Sequence, residues 1–526
     1  MPTLNWIGKD KVINHHLDVP FRTLKKEFTF APNGSDDGNM IIHGDNLEAL
    51  KSLLPQYEGR VRCIYIDPPY NTGNENWVYN DNVNDPRIQK WLGKVVGAEG
   101  EDLSRHDKWL CMMYPRLRLL QKMLANDGAI FISIDSVELY TLKMICDEIF
   151  GLSNFVDCIS WFKKASPSND AQYFSNDIEY ILIYAKNKDV WKPKRLPLTE
   201  KQLKNYQNPD NDPRGRWNSA TYTCNKSKSE RPNLYYGIIN PNTGKETFPK
   251  ETAVWKYGKE QTSIYEQENR LYWGADGCAQ FPRIKKFLFE HEGVVNRTLW
   301  HYDDVNHTQG ASLELKELGF TGFATPKPSR LIERILNIAS DPDSIILDSF
   351  AGSGTTAHAV LNMNKADGGH RQFILVEMGD YADSITAERV RRVINGYGEG
   401  KGSVEGTGGS FSFYELGEPV FLQDGSLNPE TPPDDIRSYV YYSETREALG
   451  EQSADDPYWL GTHENVAYYF CYNPDQTIVL SDSFLGKLHH RAEQYVIYAD
   501  ICAISEADLK RWNIVFKKIP RDITRF

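Results

Sequence analysis

Short apolar runs alternate with amphipathic segments in two separated stretches of the chain. In the first, residues 40–43 read as a short strand and 46–54 as a helix. Residues 61–67 read as a buried strand, because Val61-Arg62-Cys63-Ile64-Tyr65-Ile66 is mostly apolar and stops at turn formers. Leu110, Met113, Leu117, Leu120 and Leu124 recur at helical spacing, which predicts a helix over 106–125 that ends at Asp127-Gly128 and is bent by Pro115. A strand at 129–134, a helix at 137–150 and strands at 155–162 and 178–185 complete this stretch. The second stretch opens at Thr325-Pro326-Lys327-Pro328, where prolines precede a helix through Leu331, Ile335 and Ile338. A strand at 344–348, a helix at 354–364, a strand at 372–377 and a helix at 381–394 follow.

Strands alternating with helices predict an α/β fold with a doubly wound, mostly parallel sheet, whose ligands sit beyond the carboxyl ends of the strands. From 186 to 319 the rhythm is lost and Trp, Tyr, Asn, Pro and Lys become frequent, as in an inserted domain. Past Asn395, the run Gly396 to Gly402 and then Gly406-Thr407-Gly408-Gly409 predict a hinge. Strands at 477–480 and 495–498 imply a small C-terminal domain. The expected division is 1–185, 186–319, 320–396 and 397–526.

Composition changes this picture in three places. With 40% hydrophobic and 25% charged residues in 526, the chain is long enough for roughly two to four packed domains. No apolar run approaches the roughly 18 residues of a membrane span, and 1–11 carries no apolar signal core, so a cytoplasmic location is expected. No two of the eight cysteines stand as C-x-x-C, so reduced thiols are expected and no metal site. The net charge of −12 argues against a nucleic-acid partner until its distribution is read. Residues 190–300 hold 19 Lys and Arg against 12 Asp and Glu, whereas 397–526 hold 11 against 21. A basic middle in an acidic chain fits a DNA footprint, because phosphate neutralisation supplies most non-specific affinity.

The apolar run 61–66 closes at Asp67-Pro68-Pro69-Tyr70. An adenine amino group is a poor nucleophile because its lone pair is delocalised into the ring, and a catalyst must accept its protons. Asp67 can accept one N–H and the Pro68 carbonyl the other, while the prolines, Pro69 included, fix the backbone. Tyr70 offers a flat face to an extruded base. Much later comes Asp348-Ser349-Phe350-Ala351-Gly352-Ser353-Gly354-Thr355-Thr356, a strand-to-helix turn whose glycines permit close backbone approach, as in sites that hold S-adenosylmethionine. The third glycine of a dinucleotide fingerprint is replaced by Ala357, and no Lys follows Gly354, which excludes a P-loop. Glu377 ends the next strand, where an acid can bind ribose hydroxyls.

These motifs, in this order, resemble amino-methylating DNA methyltransferases of the β arrangement, and more narrowly the modification (Mod) subunits of type III restriction-modification systems. His43-Gly44-Asp45-Asn46, the extension Asn71-Thr72-Gly73 and Phe323-Ala324-Thr325-Pro326-Lys327-Pro328 add to the resemblance, which covers most of the chain from Met40 to Tyr414. The resemblance implies the S-adenosylmethionine-dependent methyltransferase fold, with Asp67, Pro68, Pro69 and Tyr70 as the catalytic tetrapeptide. It implies a cofactor loop of Phe350, Ala351, Gly352, Ser353, Gly354 and Thr355 behind Asp348, with Glu377 on the ribose, Asp45 nearby, and Thr325 and Lys327 at the methionine end. Trp161 and Phe162 become candidates for the far wall of the base pocket. The insert would be a target-recognition domain, where Arg214, Arg216, Lys226, Lys228, Arg231, Lys285 and Lys286 interleave with Trp217, Tyr222, Tyr235 and Tyr236.

The expected function is site-specific adenine-N6 methylation of double-stranded DNA with S-adenosyl-L-methionine, by direct displacement. Cytosine-N4 methylation uses the same geometry and stays open, although Asp at position 67 favours adenine. A non-catalytic DNA-specificity subunit that recruits a nuclease is the other alternative. No cysteine follows a proline, which argues against cytosine-C5 chemistry, and no G-x-x-x-x-G-K-[ST] occurs, so any restriction step belongs to a partner helicase-nuclease (Res) subunit. The resemblance also implies a homodimer.

Overall fold

The computed structural model describes residues 3–72, 105–168, 171–452 and 455–525. Gly73, the last residue of the extended Asp67 motif, lies outside them. The chain forms two compact units, Met1–Lys194 with Arg297–Phe526, and Arg195–Asn296. The second unit is narrower than the expected insert of 186–319. The first includes the C-terminal segment that was expected to stand apart.

The first unit is built on a ten-stranded sheet. Its order is Arg22–Phe30, Phe411–Pro419, Met40–His43, Gln372–Glu377, Ile345–Asp348, Val61–Ile66, Leu124–Ile134, Ile178–Ala185, Phe155–Phe162, Leu299–Trp300. From Phe411–Pro419 to Leu124–Ile134, neighbouring strands run parallel. Their side chains are buried on both faces, which is why they read as nearly continuous apolar runs. The helix Ser329–Ala339 packs Leu331, Ile332, Ile335, Leu336 and Ile338 inward against Thr355–Asp367, and Asn46–Tyr57 packs on Arg105–Met123. Pro115 sits inside that last helix without ending it.

The two motif strands are neighbours, with Ile346 beside Cys63 and Leu347 beside Ile64. From Val61–Ile66 the chain moves to one side, to Leu124–Ile134, and from Ile345–Asp348 to the other, to Gln372–Glu377. This is the topological switch point of a doubly wound sheet, where ligands bind. Ile178–Ala185 runs antiparallel to Leu124–Ile134, so its first residues lie at the same edge as the carboxyl ends of the central strands.

Two expected elements differ. The helix expected over 381–394 is a π-helical turn, Ala382–Ala387, followed by Glu388–Asn395. The wider turn aims Thr386 and Arg389 at the glycine loop: the Thr386 hydroxyl donates to the Gly352 carbonyl at 2.5 Å, and Arg389 Nη1 to the Ser353 and Thr355 hydroxyls at 2.9 and 2.8 Å. The glycine stretch after Asn395 is not a loose hinge. Gly396–Tyr397 pairs with Val404–Glu405, and a Cβ on Gly406 would meet the Ile394 carbonyl at 2.3 Å. Phe411–Pro419 then enters the main sheet, and the C-terminal four-stranded sheet packs on the helix Pro433–Thr445.

The second unit is small and β-rich. Its core is Tyr222, Tyr236, Ile238, Trp255, Leu271, Trp273 and Ile284. The sequence pattern had offered Tyr222 and Tyr236 as stacking platforms, but they are buried, and both hydroxyls lie 2.6 Å from the Thr262 hydroxyl. Trp217 is also buried, with its indole N–H on Asp210. The chain enters and leaves this unit side by side, through reciprocal backbone hydrogen bonds between Leu196 and Val294 at 2.9 and 2.7 Å.

Candidate active site

Asp67 follows the Val61–Ile66 strand and is 8% exposed. The Tyr70 hydroxyl donates to its Oδ1 at 2.8 Å and Lys327 Nζ to its Oδ2 at 2.7 Å. The Lys327 ammonium also lies over the Tyr70 ring, 5.0 Å from its centre. The Trp109 indole donates to the Pro69 carbonyl at 2.6 Å, while among the described residues nothing donates to the carbonyl of Pro68. Asn71, left-handed at φ 58° and fully buried, anchors the end of the turn by donating to Glu138. Burial pushes the Asp67 carboxyl up; Lys327 opposes this and Glu179 adds to it.

The glycine loop faces this tetrapeptide across a cavity lined by Tyr65, Asp67, Phe323, Thr325, Pro326, Lys327, Asp348, Phe350, Ala351, Gly352, Ser353, Thr355 and Thr356. Asp348 shapes the loop, accepting from the Phe350 N–H at 3.0 Å and the Thr356 hydroxyl at 2.5 Å. The Thr355 hydroxyl donates to the Lys327 carbonyl at 3.2 Å, which ties the two walls together. Thr325 is held at φ 44°, a conformation that costs a β-branched residue about 1–3 kcal/mol and persists where surroundings over-determine it.

Asp348 is buried, and burial, with Asp67 and Glu377 nearby, raises its carboxyl from 3.8 to about 7 against two opposing hydrogen bonds. The folded protein therefore holds this proton more tightly than the unfolded chain does. Its contribution to stability is full below about 3.8 and is lost as pH rises to about 7. Thermal unfolding of wild type and Asp348→Asn across that window should show the wild type losing stability relative to the variant as pH rises. Parallel curves would refute the shift.

Several expected site residues have other work. Asp45 caps the helix Asn46–Tyr57 by accepting from the Leu47 N–H at 2.7 Å and pairs with Arg116 at 3.1 Å; it does not line the cavity. Gly354 turns away, since a Cβ there would meet the Thr386 carbonyl at 3.0 Å. Glu377 lies behind the loop, accepting from the N–H groups of Gly352 and Gly379, both at 2.7 Å, and the Tyr381 hydroxyl at 3.0 Å. Trp161 and Phe162 point to opposite faces of their strand. Trp161 shares the face of Glu179 but is fully buried, donating to the Asn306 carbonyl at 3.0 Å; Phe162 packs on His301.

Glu179, Lys163 and Asp135 also belong to this site, although their sequence context did not single them out. The Tyr70 hydroxyl reaches Glu179 at 3.1 Å, Lys327 lies 3.6 Å from it, and Lys163 lies 3.3 Å from both Glu179 and Asp135. The available signal was an acid inside the apolar run Ile178-Glu179-Tyr180-Ile181-Leu182, because carboxylates are almost never fully buried unless paired.

In the second unit the basic residues divide. Lys285 is 1% exposed and forms ion pairs with Asp210 and Asp212, and Arg214 pairs with Asp212 and stacks on Phe287, so neither is a free phosphate contact. Arg216, Lys226, Lys228, Arg231 and Lys286 are exposed, Lys226 paired with Glu230 and Lys228 over Tyr235. Lys286 joins Asn218, Gln261 and Tyr265 in an open cleft. Lys285→Ala should lower the stability of this unit by about 1.5–3 kcal/mol, the loss of buried hydrogen bonds to charged partners, with Arg214 still pairing Asp212. Lys286→Ala should leave the melting temperature unchanged; equal melting temperatures for both variants would contradict this division.

Residues 61–388 match the N6/N4 methyltransferase family described as DNA methylase. The type III restriction-modification enzyme StyLTI Mod subunit of Salmonella typhimurium is 35% identical, covering 74% of this chain and 62% of that relative. The EcoPI Mod subunit of Escherichia phage P1 is 32% identical, covering 71% and 63%. The type II methyltransferase M.KpnI of Klebsiella pneumoniae is 32% identical, covering 66% and 82%. The chain thus spans a little under two thirds of the length of the two Mod subunits.

Proposed function

The chain belongs to the N6/N4 DNA methylase family, and from that premise we propose that it methylates the N6 amino group of an adenine extruded from double-stranded DNA, with S-adenosyl-L-methionine as donor. The observation that carries this reading is Asp67 on the wall of the glycine-loop cavity, beside a flat phenol and a proline carbonyl that accepts no other donor among the described residues. The chemistry of the cavity lining suits the cofactor. Phe323, Pro326 and Phe350 offer apolar surface for an adenine ring, Asp348 a buried carboxyl whose ionisation a nearby cation favours, and Gly352, at φ 55°, backbone without a side chain in the way. When bound, S-adenosyl-L-methionine supplies a methyl group on a cationic sulfur, activated for displacement.

Asp67 and the Pro68 carbonyl each accept one N–H of the target amine, which draws the nitrogen lone pair out of the ring. Tyr70 stacks on the extruded base, and Asp67 or solvent takes the released proton. Arg216, Lys228, Arg231 and Lys286 supply phosphate contacts from the second unit. We assign the chain a Mod-like role in a type III-like restriction-modification system, as a homodimer with a separate helicase-nuclease partner. Among the described residues no helix is long and apolar enough to cross a membrane, in keeping with a DNA substrate in the cytoplasm.

The test is incubation of methyl-free plasmid DNA with the purified chain and S-adenosyl-L-methionine, followed by single-molecule sequencing. Modified adenines on one strand of a short asymmetric site are the expected result. Modified cytosines would move the target to N4, and cofactor binding without any modification would favour a non-catalytic specificity subunit.

A further inference from the structure

We propose that Glu179 is a positioning residue for methyl transfer, a second carboxylate seat that keeps the Lys327 ammonium and the Tyr70 hydroxyl in place when Asp67 turns to the substrate amine. The inference rests on the methyl-transfer reading above. Both oxygens of Asp67 already have internal donors, Tyr70 on Oδ1 and Lys327 on Oδ2, where amine N–H groups must bind. Each donor also has Glu179 Oε2 within reach, the phenol at 3.1 Å and the ammonium at 3.6 Å. Passing from Asp67 to Glu179 therefore takes no new fold, only a shift of the ammonium by a fraction of its present distance. Lys163, 3.3 Å from Glu179 Oε1 and 3.3 Å from Asp135, holds the second seat from behind. Asp67, Tyr70, Glu179 and Lys327 are each less than 10% exposed. Without Glu179 the two donors would remain on Asp67 or be left buried without an acceptor, and either outcome opposes the reaction.

The groups facing Asp67 are Tyr65, Tyr70, Glu179, Lys327 and Asp348, with Lys163 and Asp135 behind Glu179. The acid limb of kcat reports the ionisation of Asp67, and the negative charge of Glu179 pushes that limb to higher pH. Glu179→Gln keeps an acceptor oxygen but loses the charge that draws Lys327 away. It should lower kcat about 10²-fold, the typical effect of misplacing a reacting group, with KM for DNA unchanged. The acid limb should move to lower pH, and Glu179→Asp should restore both kcat and the limb. Lys163→Met removes a positive neighbour and should move the limb the opposite way, which carries the test if the glutamine variant fails to fold. An acid limb unmoved in a folded Glu179→Gln or in Lys163→Met, or wild-type kcat in Glu179→Gln, overturns the proposal. Absence of methyl transfer by the wild-type chain would instead overturn the functional reading on which it stands.

Discussion

Asp67→Ala should lower methyl transfer about 10³-fold, in the range expected for removing a positioned proton acceptor, while binding of DNA stays near wild type. The carboxylate is the only side chain of the tetrapeptide able to accept an amine proton, since Tyr70 presents its ring to the base and the prolines act through their backbone. The variant should fold, because Lys327 keeps Glu179 as a counter-ion 3.6 Å away and is not left as a lone buried charge. Single-turnover methylation with tritiated cofactor, beside a DNA-binding isotherm and a melting curve, separates the three effects. Turnover within tenfold of wild type would remove Asp67 from the chemistry, and loss of DNA binding would make it a structural residue.

Gly352→Val attacks the same reaction from the opposite wall. Gly352 lines the cavity at φ 55°, where a β-branched residue is strained, and its N–H is fixed by Glu377 at 2.7 Å, so the backbone has little freedom to relax. Its side chain would begin on the cavity wall. Overpacking of about 1–3 kcal/mol corresponds to roughly 5- to 150-fold weaker cofactor binding. Calorimetry with S-adenosyl-L-methionine measures this directly, and unchanged affinity would show that the loop does not hold the cofactor. The two variants should separate cleanly, Asp67→Ala binding cofactor without transferring methyl, Gly352→Val transferring poorly because it binds poorly.

The central strands were legible because they are buried on both faces, so their apolar runs stand out without reference to neighbours, and strands 155–162, 178–185 and 372–377 were placed at their observed bounds. Asp67, Tyr70, Lys327 and the glycine loop were legible because each sits at a turn whose residue types are constrained locally. Glu179, Lys163 and Asp135 were not, since what matters about them is that the start of one antiparallel strand and the carboxyl ends of its two neighbours meet at the same edge of the sheet. Lys285 misled for a related reason. Two carboxylates from another segment, Asp210 and Asp212, neutralise it, and spacing along the chain does not register a contact 73 residues away. The π-helical turn at Ala382–Ala387 was hidden because its apolar spacing continues into the helix beyond.

The clasp between Leu196 and Val294 has a genetic consequence. Because the chain departs and returns at one point, two recombination breakpoints, one on either side of that backbone pair, would exchange the whole of Arg195–Asn296 between related genes and leave every strand of the large sheet with its own sequence. On the proposed function, in which this unit reads the DNA, such an exchange alters site choice in a single inheritance event while the residues lining the active-site cavity keep their own sequence.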